Sequence, residues 1–196
     1  MNFNNFKQHL KKILIHKYYV GKICFIAGLY LRGMKHDLSK FSFDEFVESV
    51  NNYCGTRSPI DRIKEKHGFC NCWRHHQKLN SHHYEYWIEC ANNGIWIYSM
   101  PFYDALEMIC DRIGAAMAYL GKDCTFEDQY KKWQKDKEHM RLMHPQTKEF
   151  VEKVYRVLYN ENDIFQLSDI NMLKMLYYNS GDREPILFCE VAKDEE

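Results

Sequence analysis

Apolar positions recur at helical spacing from near the start of the chain. Over residues 4–20, Phe6, Ile13 and Val20 return every seven residues, with His9 and His16 between them on the same side. That period predicts an amphipathic helix with His16 facing inward. Gly21 is expected to interrupt it. The next segment, Ile23 to Tyr30, is apolar nearly all round and predicts a buried central helix. It leads through Arg32-Gly33 to His36-Asp37. Ser42-Phe43-Asp44-Glu45 has the capping-box pattern and opens a third helix. Its expected inner face is Phe43, Phe46, Val47 and Val50. Asn51 to Pro59 reads as a loop.

A helix is expected from about Asp61 to Leu79, carrying Trp73, His75 and His76. Asn80-Ser81 reads as a break. Ser81 would cap a further helix through His82 and His83, ending near Asn93-Gly94. Met100-Pro101 opens a helix running to Tyr119 and ended by Gly121. Its inner face includes Leu106, Met108 or Ile109, and Ala115. Glu107 and Asp111 lie four apart and so share a face near that core. Thr125-Phe126-Glu127-Asp128 caps a helix to about Leu142, broken by Pro145. Helices at about 148–159 and 169–178 follow, then a short strand over Pro185 to Val191. The pattern predicts an all-α fold in a single domain, 1–196. A core spans about 10–120, further helices about 125–180, and a disordered tail 192–196.

Composition narrows the function classes. Basic and acidic residues balance at 27 each, so no strongly basic face is implied and a nucleic-acid backbone is not the default partner. The longest apolar run, Ile23 to Leu31, is too short to span a bilayer. No signal peptide is recognisable, so a cytoplasmic protein is expected, in the host cytoplasm if the source is viral. The eight cysteines include no C-x-x-C pair, and Cys70 and Cys72 are two apart. Reduced, mostly buried thiols are expected, with a cysteine zinc site as the alternative.

Imidazoles and carboxylates carry the candidate chemistry. His16, His36-Asp37, His75-His76, His82-His83 and Asp111 supply enough nitrogen and oxygen donors for one or two divalent transition-metal ions. The mixture suits Fe, Mn, Co, Ni or Zn better than Mg or Ca. A lone inward histidine is more often a core residue bonded to a backbone carbonyl. Four imidazoles beside Trp73, Tyr84, Tyr86 and Trp87 form a segment too apolar for plain surface. Which member of each pair is a ligand is left open. Arg74 and Lys78 flank the block as candidate phosphate contacts.

His16, His36-Asp37 and Asp111 resemble the H…HD…D signature of HD-domain metal-dependent phosphohydrolases. Extra histidines before the last aspartate resemble the binuclear branch, and Lys40 matches the HD-x-x-K form. The segments HDLSKFS, HHQKLNSHH, EYW and MP…EM..D also resemble a family of small proteins from phages, large DNA viruses and bacteria. The likeness covers roughly residues 10–160. The HD resemblance implies an all-helical core. Its ligands would be His16, His36, Asp37 and Asp111, with a lysine, Lys40, that meets substrate phosphate. The implied activity is hydrolysis of a small phosphorylated or nucleotide substrate, with Lys40 and Asp37 as catalytic residues. Two alternatives stand beside it: a di-iron oxygenase of the HD type, and a non-catalytic viral factor that binds a nucleotide or a protein.

Overall fold

The structure is a computed structural model that describes residues 3–55 and 57–190. It is all-α in class, with one small sheet. In chain order the helices are α1 (Phe3–Ile26), α2 (Tyr30–Lys35), α3 (Phe43–Asn52), α4 (Pro59–His67), α5 (Asn71–Leu79), α6 (Phe102–Leu120), α7 (Phe126–His139), α8 (Pro145–Glu161) and α9 (Ile170–Tyr178). The strands are β1 (Ile88–Ala91), β2 (Gly94–Ile97) and β3 (Ile186–Glu190). They form one antiparallel sheet in the order β1-β2-β3. The chain divides into two compact units. The first holds residues 1–25, 29–80 and 110–124; the second holds 26–28, 81–109 and 125–196.

In the first unit α1 buries His9, Ile13, His16, Val20, Ile23 and Cys24, the stripe that the seven-residue period predicts. Gly21 does not interrupt it. The glycine that the contact with α2 requires is Gly33: a Cβ there would lie 2.7 Å from Cys24 Cβ and 3.4 Å from Gly21 Cα, whereas a Cβ on Gly21 would meet only the Gly33 carbonyl, at 3.9 Å. The break comes at Gly28, whose φ of 74° is left-handed and open to glycine at no steric cost. The expected central helix over Ile23 to Tyr30 is therefore two helix ends around a turn. It is not buried all round, since Phe25 and Tyr30 are exposed.

Ser42 caps α3 as expected, its hydroxyl accepting from Glu45 N–H. The inner face differs from the apolar expectation. Phe43 is exposed, whereas Glu45, Ser49 and Val50 are buried. The helix expected over 61–79 is two helices. Gly68, at φ 78°, ends α4, and α5 restarts after Cys70.

The second unit contains the largest departure. Residues 81–94 form no helix; a short 3-10 turn over Tyr84–Trp87 leads into β1, and Asn92-Asn93 connects β1 to β2. Gly94 lies in β2, paired with Ala91, and is not a helix terminus. β3 falls where the short strand was expected. Pro145 begins α8 as its first residue, the position where a missing N–H costs nothing. Glu152 on α8 fastens α7: it accepts from Tyr130 Oη, Trp133 Nε1, Gln134 Nε2 and Lys137 Nζ. No helix among the described residues is long and apolar enough to cross a membrane. The expected disordered tail, 192–196, lies outside the described residues.

Candidate metal centre

Three elements of the first unit bring the candidate ligands together. α1 presents His16 from its buried stripe. α2 ends at Lys35, and the chain turns through His36 and Asp37 into a 3-10 turn, Leu38–Phe41. Asp37 makes that turn at φ 53° and ψ 29°. Aspartate tolerates this left-handed region better than most residues. Lys17, beside His16, donates to the carbonyls of His36 (2.6 Å) and Met34 (3.4 Å), so α1 also fixes the turn. The part of α6 within this unit adds Asp111. α1 and α6 approach closely because residue 114 is glycine: a Cβ there would lie 2.5 Å from Val20 Cγ2 and 2.9 Å from Val20 N. Lys12 adds a bond to the Ala118 carbonyl, 3.0 Å.

The result is a four-sided ring of donor atoms. His16 Nε2 lies 3.2 Å from Asp37 Oδ2 and 3.1 Å from Asp111 Oδ1. His36 Nε2 lies 3.3 Å from that Asp37 oxygen and 3.2 Å from that Asp111 oxygen. Each imidazole nitrogen thus touches both carboxylates, although one N–H points along only one direction. Adjacent donors around an ion with 2.0–2.2 Å bonds are separated by roughly 3.0 Å in an octahedron and 3.4 Å in a tetrahedron. The ring falls between those values. His16, His36 and Asp37 are buried. Two imidazoles and two carboxylates, all buried but the half-buried Asp111, with each imidazole in contact with both carboxylates, are a donor set that can hold a metal ion.

Charge is concentrated here. Burial works to raise the Asp37 carboxyl, but the Lys40 ammonium, His36 and His16 outweigh it and hold the group well below the usual carboxylate range. Asp111 behaves likewise, with His16 and His36 overcoming burial. Lys40 Nζ sits 2.5 Å from Asp37 Oδ2, with about a quarter of its side chain (26 %) exposed. Burial lowers Lys40, while Asp37 and Asp111 raise it above the ordinary lysine value. Lys40, expected from the resemblance to meet substrate phosphate, is therefore paired with a carboxylate of the candidate site.

His76 and His75 part company. His76 Nε2 lies 3.2 Å from Asp37 Oδ1, and its Nδ1–H donates to Glu45 Oε2 at 2.8 Å. A nitrogen lone pair and a carboxylate oxygen face each other there, so a proton or a cation must sit between them. Burial lowers His76, but Asp37 and Glu45 raise it above the ordinary histidine value. His75 turns away: Nδ1–H donates to Glu45 Oε1 at 2.8 Å, and Nε2 lies 3.8 Å from Asp44. Glu45 thus joins both imidazoles, a carboxylate–histidine arrangement typical of metal ligands. Asn80 and Ser39 complete the polar shell of His76, with Asn80 Nδ2 donating to the His76 carbonyl (2.7 Å) and to Ser39 Oγ (2.9 Å).

His82 and His83 lie in the second unit. There His82 is buried with Nδ1 3.4 Å from Glu107 Oε1, and the two rings stand 4.2 Å apart. Arg74 and Lys78, the expected phosphate contacts, are exposed on α5. Glu45 was not singled out in the sequence as a site residue. Ser42-x-x-Glu45 accounts for it as a helix cap, and only its burial beside two histidines shows the second role.

A family model described as a family of unknown function (DUF5662) matches residues 5–157. The chain belongs to DUF5662. The matched span takes in His16, His36, Asp37, Lys40, Glu45, His76 and Asp111, and it ends within α8, before α9 and β3. No curated protein and no solved structure matches this DUF5662 chain.

Proposed function

We propose that this DUF5662 chain is a metal-dependent phosphohydrolase of the HD type, acting on a small phosphorylated or nucleotide substrate. The observation that carries the reading is the closed ring of His16, His36, Asp37 and Asp111, four residues from three elements with their donor atoms 3.1–3.3 Å apart. The chemistry that a divalent transition-metal ion supplies in such a set is a Lewis-acidic charge, which lowers the pKa of water and polarises a phosphoryl oxygen. His16, His36, Asp37 and Asp111 hold that charge. His76 is the further ligand or proton carrier, because Glu45 fixes Nδ1 as the donor and leaves Nε2 directed at Asp37. With its raised pKa, His76 also suits transfer of a proton to a leaving oxygen. Lys40 brings an ammonium to the same carboxylate and can bind an anionic phosphoryl oxygen.

The test is metal analysis of the purified chain together with a phosphate-release screen. The substrates are nucleoside mono-, di- and triphosphates and small phosphomonoesters, each tried with Mn, Fe, Co, Ni and Zn. Metal that is lost in Asp37→Asn, with phosphate release that follows it, supports the reading. Metal without phosphate release, but with oxygen uptake by the iron form, replaces it with the oxygenase. Absence of any bound metal overturns both.

A further inference from the structure

We propose that Glu48, Cys70 and Cys72 form a second metal site, for a thiophilic divalent cation of the zinc or cadmium type. The site lies in the first unit, where α3 meets the start of α5. One ligand atom from each of the three side chains lies within 4.8 Å of the others. The two sulfurs are 3.1 Å apart, and both cysteines are buried. Ile60, Ile63 and Trp73 pack around them and keep the surroundings apolar.

Ordinary helix capping does not explain this placement. Cys70 occupies the N-cap position of α5, where Ser, Thr, Asp or Asn is preferred, and its side chain makes no capping bond. The capping falls to Glu48 instead, whose Oε2 accepts from Cys72 N–H at 2.6 Å. Ser49 Oγ–H donates to Cys72 Sγ at 3.6 Å, which favours the thiolate, but burial and Cys70 outweigh it and hold the metal-free thiol protonated. A carboxylate, two sulfurs facing each other and a hydroxyl donor are thus gathered at one point.

The donor chemistry selects the ion. Sulfur ligands favour zinc and its soft relatives, whereas the imidazole–carboxylate ring suits a wider range of first-row metals. The two sites would therefore sort metals by softness. Zinc–sulfur bonds of 2.3 Å place two sulfurs roughly 3.7 Å apart in a tetrahedron. A small side-chain rotation at Cys70, which precedes the helix in extended backbone, opens the pair from 3.1 Å to that span. Three protein donors leave one tetrahedral position for water. Both thiols must release their protons on binding, so occupancy rises with pH. The positive end of α5 offsets part of the resulting charge.

Cobalt(II) is the probe, because only thiolate ligands give it an intense near-ultraviolet charge-transfer band. The reduced, metal-free full chain is titrated with cobalt(II) alone, then with cadmium(II) as competitor. One equivalent of the band is expected in the wild type. It should persist in Asp37→Asn, disappear in Cys70→Ser and Cys72→Ser, and be displaced by cadmium. Absence of the band from the wild type, or its survival in both cysteine variants, overturns the proposal. X-ray absorption on the zinc-loaded Asp37→Asn chain keeps both cysteines and guards against variants that fail to fold. Sulfur neighbours at about 2.3 Å are expected there, and a shell of nitrogen and oxygen alone overturns the site.

Discussion

Asp37 carries three obligations: a left-handed turn, contact with His16 and His36, and the charge that Lys40 neutralises. Substitutions can separate them. Asp37→Asn keeps a side chain that tolerates the left-handed region and should fold normally, but it removes a charged ligand. Metal affinity should fall at least about tenfold, read by isothermal titration. Asp37→Ala should also lose roughly 1 kcal/mol of stability through backbone strain. Lys40→Ala is expected to act in the opposite sense on the metal. With a competing ammonium removed from Asp37, affinity should hold or rise, while turnover on a phosphorylated substrate falls about a hundredfold. Metal loss in Lys40→Ala would make the lysine structural. His9 offers a test away from the centre. Its ring is buried between Phe46 and Tyr53, its Nδ1 has no hydrogen-bond partner, and burial, aided by Lys40, lowers its pKa to about 4. The unfolded chain therefore binds more protons between pH 6.5 and about 4, so stability declines as pH falls through that window. His9→Phe should flatten that part of a urea-unfolding profile. An unchanged slope would show that His9 is not what titrates. The candidate donor set was legible because few side chains bind transition metals, and His-Asp with distant partners narrows the choice. Glu45 was not, because its local role as part of a cap accounts for its presence.

At the scale of elements, the centre depends on how closely α1 and α6 approach. Gly114 lies three residues after Asp111, and Val20 four after His16, so their contact is one turn from the ligand pair. Gly114→Ala would drive a methyl group into Val20, whose Cγ2 and N are 2.5 and 2.9 Å away. Overpacking of this kind costs about 1–3 kcal/mol. It should also part His16 from Asp111, so metal affinity should weaken more than in a surface control such as Asn92→Ser. Equal affinities would mean that the helices adjust without moving the ligands. Periodicity recovered α1, whose buried stripe recurs every seven residues, while cap and proline signals recovered the starts of α3, α6 and α7. It failed over 81–94, where β1 and β2 have four residues each and Glu89 and Cys90 are both exposed. Such short strands show no clean alternation, and Ser81 and Gly94 imitate helix ends. Gly21 misled for a different reason: a glycine inside a helix costs only about 1 kcal/mol, and the packing of α1 outweighs it.

The whole molecule is woven rather than strung: each unit collects three separate stretches of chain. An ion bound at the candidate centre would tie together residues 16, 36, 37 and 111, and would bind only the folded form. At a hundredfold excess over its dissociation constant it should add about 2.7 kcal/mol to unfolding. A thermal melt should show this as an upward shift that Asp37→Asn lacks; equal shifts in both proteins would place the stabilising ion elsewhere. The weaving was hidden from sequence because two of its crossing points, 25/26 and 109/110, fall inside α1 and α6, where no linker marks them. It also sets a schedule. His36 and Asp111 meet across 75 positions of sequence. At the ribosome's roughly 5–20 residues per second, the last ligand follows the first three by about 4–15 s. For that interval the nascent chain has His16, His36 and Asp37 but not Asp111, and Lys40, made three residues after Asp37, is already there as its counter-ion. The lysine paired with Asp37 in the folded chain is thus also a cation made close beside it during synthesis.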